Sequence, residues 1–292
     1  MKMLKDRLLI SFSGGQTSGY MAKMIKENWS DKYEIICVFA NTGLEREETL
    51  EFVKKCDKKF NLNVVWVEAV VHYNKRKGCT HKVVDFKSAA RNGEPFTAVI
   101  KKYGIPNVQF LHCTRELKAN PIKSYAKSIG WEGWYTAIGI RIDEVDRVSA
   151  NHKKFKYIYP LAFDWPTRKI DINEFWQDKN WSLKLKSYEG NCDYCFKKTL
   201  RKLMTIYQED TKNRIQWWLN TEKEFENFAG GRDGISPPYR FNRKGMTVQE
   251  LIDKSNEPFM WAVDESWFTK QLAIDQDLDV SNGCEESCEP FK

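Results

Sequence analysis

The chain has 292 residues, 41% hydrophobic and 30% charged, with a formal net charge of +7. That length suits one large domain or two small ones, and no apolar run reaches the ~18 residues of a membrane-spanning helix. The modest positive balance suits an anionic ligand, nucleotide or nucleic acid, and equally a merely well-solvated surface.

Residues 1–7 lead straight into a strand with no apolar leader core, so the expected location is the cytoplasm. In a reducing compartment the eight cysteines are not expected to pair as disulfides. Clustered ones point to metal or redox chemistry.

Residues 7–12 end in an apolar run of strand character, broken by Ser13-Gly14-Gly15. From Ser18 onward Tyr20, Met21, Met24 and Ile25 recur at helical spacing. Strand, glycine turn and helix in that order make a phosphate cradle. Successive N–H groups point inward, glycine admits the ligand, and the helix N-terminus adds partial positive charge. Ser11, Ser13, Thr17 and Ser18 supply hydroxyls, and Gln16 an amide.

A second strand is predicted over 34–39 and a third over 63–68, with a helix over 45–60 between them. The β-α-β-α-β order implies right-handed crossovers and a doubly wound, mostly parallel sheet, hence an α/β fold. Ligands in such sheets sit at the C-terminal strand ends. There Phe39, Asn41, Thr42 and Gly43 would stand beside the phosphate turn, within reach of adenine or ribose. Residues 72–107 read as an irregular insert, a candidate lid, with a short helix over 95–103. Cys79 and His81 within it make a poor metal pair and read as incidental.

Arg115 and Lys118 place two cations ahead of a helix that Asn120 caps and Pro121 starts. A further strand over 134–140 ends at Gly139, followed by Arg141, Glu144 and Arg147. Arginine grips phosphate or sulfate in a bidentate way that lysine cannot; a surface ion-pair cluster is the plainer alternative. After Ser149 the character changes. Trp165, Trp176, Trp181, Trp217 and Trp218 mark an aromatic-rich helical region, read as core rather than a base-stacking platform. We expect a division into a nucleotide-binding domain, 1–150, and a smaller helical region, 151–292. The latter carries Cys192-x-x-Cys195 and the tail pair Cys284 and Cys288. Cys37, mid-strand, and Cys56, on a helix's inner face, read as core.

These pieces resemble a known family. Ser13-Gly14-Gly15-Gln16-Thr17-Ser18 resembles the PP-loop of the adenine nucleotide alpha-hydrolase superfamily. Phe39-Ala40-Asn41-Thr42-Gly43, Cys113 with Arg115 and Lys118, Gly139-x-Arg141-x-x-Glu144-x-x-Arg147, and the Cys-x-x-Cys follow in the order of the phosphoadenosine phosphosulfate (PAPS) reductase family. The resemblance implies a Rossmann-like fold, an adenine nucleotide (PAPS, adenosine phosphosulfate or ATP) as substrate, and a [4Fe–4S] cluster. It puts Ser13 to Ser18 on the nucleotide phosphates and Arg115, Lys118, Arg141 and Arg147 on the sulfate end. Where iron–sulfur members carry Cys-Cys, this chain has His112-Cys113, so one tail cysteine would complete Cys113, Cys192 and Cys195. The alternative is a zinc site of Cys192, Cys195, Cys284 and Cys288.

Three functions compete. A sulfonucleotide reductase would use Cys284 or Cys288 as nucleophile and a thioredoxin-like thiol reductant. An ATP-dependent sulfurtransferase, with Mg²⁺, would adenylate and then thiolate a nucleic acid; Thr17 replaces an aspartate there. A non-enzymatic module would bind nucleotide or cluster without turnover. A homo-oligomer is also compatible with the sequence.

Overall fold

The computed structural model describes residues 5–74, 76–190, 192–230 and 236–266. Alternation along each strand builds two faces at once. On β1 (Asp6–Phe12), Leu8 and Ile10 enter one buried cluster while Leu9 enters another on the opposite face. β2 (Tyr33–Asn41) repeats the pattern, with Cys37 and Phe39 on the first side and Val38 on the second. Strands buried on both faces read as continuous apolar runs, which is why 7–12 and 34–39 are legible in the sequence.

The helices α1 (Gln16–Trp29) and α2 (Glu47–Phe60) cover the first face through Met21, Ile25, Leu50 and Phe52. β3 (Val64–Val70) follows, then β4 (Thr80–Val84), which runs antiparallel to it. The helix Asn120–Ser128 covers the second face with Ile122 and Ala126. β5 (Tyr135–Ala137) and β6 (Tyr157–Ile158) complete a six-stranded sheet ordered β4-β3-β2-β1-β5-β6. All pairings but β3–β4 are parallel. The expected α/β, doubly wound, mostly parallel architecture is therefore present. Its topological switch point lies beside β1, where the chain turns from one side of the sheet to the other, and the Ser13–Gly15 turn sits at the end of that strand.

The 72–107 stretch is more ordered than its sequence suggests. It supplies the edge strand β4 and the helix α3 (Glu94–Tyr103). Phe96, Val99 and Ile100 of α3 are buried in a third cluster with Tyr194, Trp218 and Phe241, so α3 is a core element rather than a cover. β4 escaped notice because its buried partners are few: His81 is half-buried, and Lys82 and Val83 are exposed.

The aromatic region packs as core. Trp176 is 1% exposed and meets the rings of Phe52 and Trp181 with centroids 4.9 and 5.3 Å apart. Its indole Nε1 donates to the Gln16 carbonyl at 3.0 Å, fixing the start of α1. Cys37 and Cys56 are buried in the same cluster. The division proposed at residue 150 is a claim about autonomy: residues 1–150 alone would have to fold without β6 and without the cluster that α3 shares with Tyr194 and Trp218. Among the described residues no helix is long and apolar enough to cross a membrane.

Candidate functional site

At the C-terminal end of β1 the chain turns through Gly14 at φ +83°. A Cβ there would come within 2.7 Å of Thr49 Cγ2 and 3.1 Å of Phe39 Cε2, so this position requires glycine both for its dihedral and for its closeness to α2. Gly15 then caps α1 and brings no side chain of its own over the first amides, and the first turn carries no acidic residue. Ser13 Oγ donates to Ser18 Oγ at 2.9 Å, and Ser18 Oγ to the Gly15 carbonyl at 3.0 Å, closing the turn on itself. Gly14→Ala is expected to destabilise the fold by about 2–3 kcal/mol, from the left-handed dihedral and the overpacked contact together. An unchanged thermal unfolding midpoint would contradict this account of the turn.

Ser13, Gly14, Gly15 and Gln16 line a cleft at the mouth of this turn. Its other walls are Glu45 and Thr49, Lys118, and a loop from the C-terminal half carrying Lys186, Ser187 and Gly190. Lys186 also pairs with Glu209 at 2.5 Å, and that hydrogen bond holds its pKa above the ordinary lysine value. Backbone amides, a helix start and two ammonium groups together form a cleft suited to a polyanion.

A second cleft adjoins the first. Cys113, Cys192 and Cys195 line it with Thr42, Lys118 and the rings of Phe96, Phe196 and Trp218. The two clefts share Lys118, which is 9% exposed. They also share a wall: Thr42 Oγ1 lies 4.0 Å from Cys192 Sγ and donates at 2.8 Å to Glu45, which faces the first cleft. The Thr42 and Gly43 amides donate to the same carboxylate at 2.9 and 3.1 Å.

Lys118 reaches this junction through an irregularity. Arg115–Ala119 forms a π turn inside an otherwise α-helical run. With i→i+5 bonding a turn holds more than four residues, so positions i and i+3 no longer share a face. Arg115 consequently points outward, its side chain 62% exposed and paired with Glu116 at 2.7 Å, while Lys118 points in. Glu116 pins the turn: it accepts from the Cys79 amide at 2.9 Å and from Asn120 Nδ2 at 3.1 Å. Burial alone would raise its pKa, but the Cys79 amide and Arg115 outweigh that and hold it below the usual carboxylate value. Cys79 itself, buried beside Glu116, has its thiol pushed up to about 12, in keeping with an inert core residue.

Several predicted contacts lie beneath the clefts instead of facing them. Asn41 is fully buried; its Nδ2 donates to Glu68 at 2.7 Å and to the Ala90 carbonyl at 2.9 Å. Its role is to hold the turn that presents Thr42 and Glu45. Ser11 and Phe39 are buried strand residues, Phe39 packed edge-on to Trp66. Gly139 packs against Ser18 at the start of α1, where a Cβ would lie at an ordinary contact distance of 3.5 Å from Ser18 Cα, and it does not line either cleft. Arg141 is 7% exposed; it donates to Thr17 Oγ1 at 3.3 Å and pairs with Asp143 at 2.9 Å and Glu144 at 3.4 Å. Arg147 pairs with Glu144. The pair thus stands as an ion cluster braced against α1.

Glu45, Thr49, Lys186, Ser187 and Gly190 line the first cleft without any signal that marked them in the sequence. Proximity to the Cys-x-x-Cys was the one available hint for the last three. Among the described residues no group of three or more His, Cys, Asp and Glu could hold a metal ion. Cys113, Cys192 and Cys195 nevertheless line the second cleft together. Cys284 and Cys288, expected as nucleophile or fourth ligand, lie outside the described residues.

A family model for the phosphoadenosine phosphosulfate reductase domain matches residues 7–156. An uncharacterized nin region protein of Escherichia phage lambda is 31% identical over 199 residues, 67% of each chain. Two uncharacterized proteins of Methanocaldococcus jannaschii are 30% and 25% identical over 131 and 138 residues, 45% and 47% of this chain. The matched stretch spans only 25% and 23% of those two archaeal proteins.

Proposed function

Because the chain belongs to the phosphoadenosine phosphosulfate reductase domain family, a nucleotide-binding family of sulfur-related enzymes, we propose that it binds an adenine sulfonucleotide in the first cleft and carries out sulfur chemistry at the second. The observation that supports this most is the junction at Lys118: one buried ammonium belongs to both the phosphate turn and the three-cysteine cleft. In this reading Ser13, Gly14, Gly15 and Gln16 face the nucleotide phosphates, with Thr17 and Ser18 buried behind them, and Lys118 takes the terminal phosphate or sulfate. Arg141 keeps Thr17 and α1 in place.

Cys113, Cys192 and Cys195 would hold a [4Fe–4S] cluster, with Cys284 or Cys288 as fourth ligand. Held there, it would supply redox capacity beside the bound nucleotide. The other tail cysteine is proposed as the nucleophile. Its thiolate attacks the sulfate sulfur, an S–S bond forms, and the S–O bond to the nucleotide phosphate breaks. A second thiol from a reductant protein then attacks the enzyme's sulfur; sulfite leaves and the two thiols end as a disulfide. An ATP-Mg²⁺ reaction is less favoured because Thr17, at the position of a metal-binding aspartate in the resembled motif, has its hydroxyl bonded by Arg141.

The test is a product assay under anaerobic conditions after reconstitution with iron and sulfide. Sulfite released from PAPS or adenosine phosphosulfate with a thiol donor is the expected result. Pyrophosphate released from ATP only when RNA or DNA is added would move the assignment to a sulfurtransferase. Tight nucleotide binding with neither product would make the chain a binding module.

A further inference from the structure

We propose that Arg46 is a positioning residue that couples occupancy of the phosphate cleft to the geometry of the cysteine loop. The proposal rests on the nucleotide reading above but not on the cluster. One short turn faces three ways. Glu45 lines the phosphate cleft, Thr42 touches Cys192, and Arg46 reaches Glu189 and Asp193 on either side of the C-terminal half's contribution to the clefts. Its Nε lies 2.5 Å from Asp193 Oδ1 and its Nη1 2.6 Å from Glu189 Oε1. Arg46 is 8% exposed and Asp193 3%.

Asp193 stands between the two cysteines of the Cys-x-x-Cys, and Glu189 precedes Gly190. The same loop therefore gives Lys186, Ser187 and Gly190 to the phosphate cleft and both thiols to the other. Arg46 holds it in the middle. Two further cations bear on Asp193: Lys198 Nζ donates to its carbonyl at 3.0 Å, and Arg214 lies 3.5 Å from its carboxylate. Neither joins the loop to the Thr42–Arg46 turn. A guanidinium fork on two carboxylates fixes direction as well as distance, where an ammonium supplies charge alone. A ligand held by Lys186 and Ser187 against the Gly14–Gln16 turn and the wall that Thr49 and Glu45 form bears on both ends of this fork, and the Cys192–Cys195 turn is stiffened with it. Such coupling is reciprocal: whatever fixes the cysteines must tighten nucleotide binding by the same factor.

The experiment uses metal-free full-length chain and ADP as the probe. Iodoacetamide alkylation of Cys113, Cys192 and Cys195 is followed by peptide mass spectrometry with and without saturating ADP. In the native chain ADP is expected to slow alkylation of Cys195 at least about fivefold. In Arg46→Met, at ADP concentrations that saturate the variant, the effect should vanish. Arg46→Lys, which keeps the charge and the fold, should retain only part of it. Equal rates with and without ADP in the native chain would overturn the coupling and leave the nucleotide reading standing; absence of ADP binding would overturn both. Protection that is equal at Cys113, Cys192 and Cys195 and survives in Arg46→Met, or in Arg46→Lys at full strength if Arg46→Met fails to fold, would mean direct shielding and remove Arg46 from the account.

Discussion

Lys118→Met is expected to weaken ADP binding about 10- to 100-fold, the loss of one charge-assisted contact of roughly 1.5–3 kcal/mol. Turnover of a sulfonucleotide should fall further, by about 10²- to 10³-fold, because charge develops on the leaving phosphate as the sulfur bond breaks. Methionine keeps most of the unbranched stem, so packing at the junction is largely preserved and the effect reports on the ammonium. The matched control is Arg115→Met. Arginine 115 is mostly exposed and paired with Glu116, so its removal should leave ADP affinity close to native. Isothermal titration of both variants decides between them. Equal losses, or none at Lys118, would mean that the π turn does not select the working cation.

The second expectation concerns iron. After anaerobic reconstitution the native chain should carry iron and acid-labile sulfide with the visible absorbance of a cluster. Cys113→Ser, Cys192→Ser and Cys195→Ser should each lose most of it, since a hydroxyl does not replace a thiolate on iron. Cys37→Ser, Cys56→Ser and Cys79→Ser should keep it, whatever they do to stability, because those thiols are buried away from the second cleft. ADP binding should persist in all three cleft variants, as the phosphate turn is untouched. A colourless native protein with one zinc per chain would move the cysteines to a structural role. Cluster retained in Cys113→Ser would leave the ligand set to the Cys-x-x-Cys and the tail.

Much of this architecture is written in the linear chain because it depends on local patterns. The runs ending at Phe12 and Phe39 are apolar on consecutive residues, a signature of strands covered on both faces, and the glycine pair after Phe12 marks the break. The order of strands, helices and motif fragments then implied the sheet type and the nucleotide site. β4 was not legible: an edge strand with His81, Lys82 and Val83 partly or wholly in water has no apolar alternation to detect. The irregular look of 72–107 came from that strand and from turns whose regularity lies in their partners.

Chemical identity was local, but orientation was not. Residue types and spacing by themselves determined the glycine turn, the thiol pairs and the cations near Cys113, since amides, hydroxyls and sulfur carry their chemistry wherever the fold puts them. Only the tertiary structure decided which of them meet. A π turn, stabilised by Glu116 against the Cys79 amide, sends Lys118 inward and Arg115 outward. Burial turned Asn41 into a brace, and the Arg141 guanidinium was drawn onto Thr17. Arg46 looked like any charged residue before a helix, and its partners Glu189 and Asp193 stand far along the chain. Such contacts depend on side-chain direction after folding, a quantity that spacing along the chain does not encode.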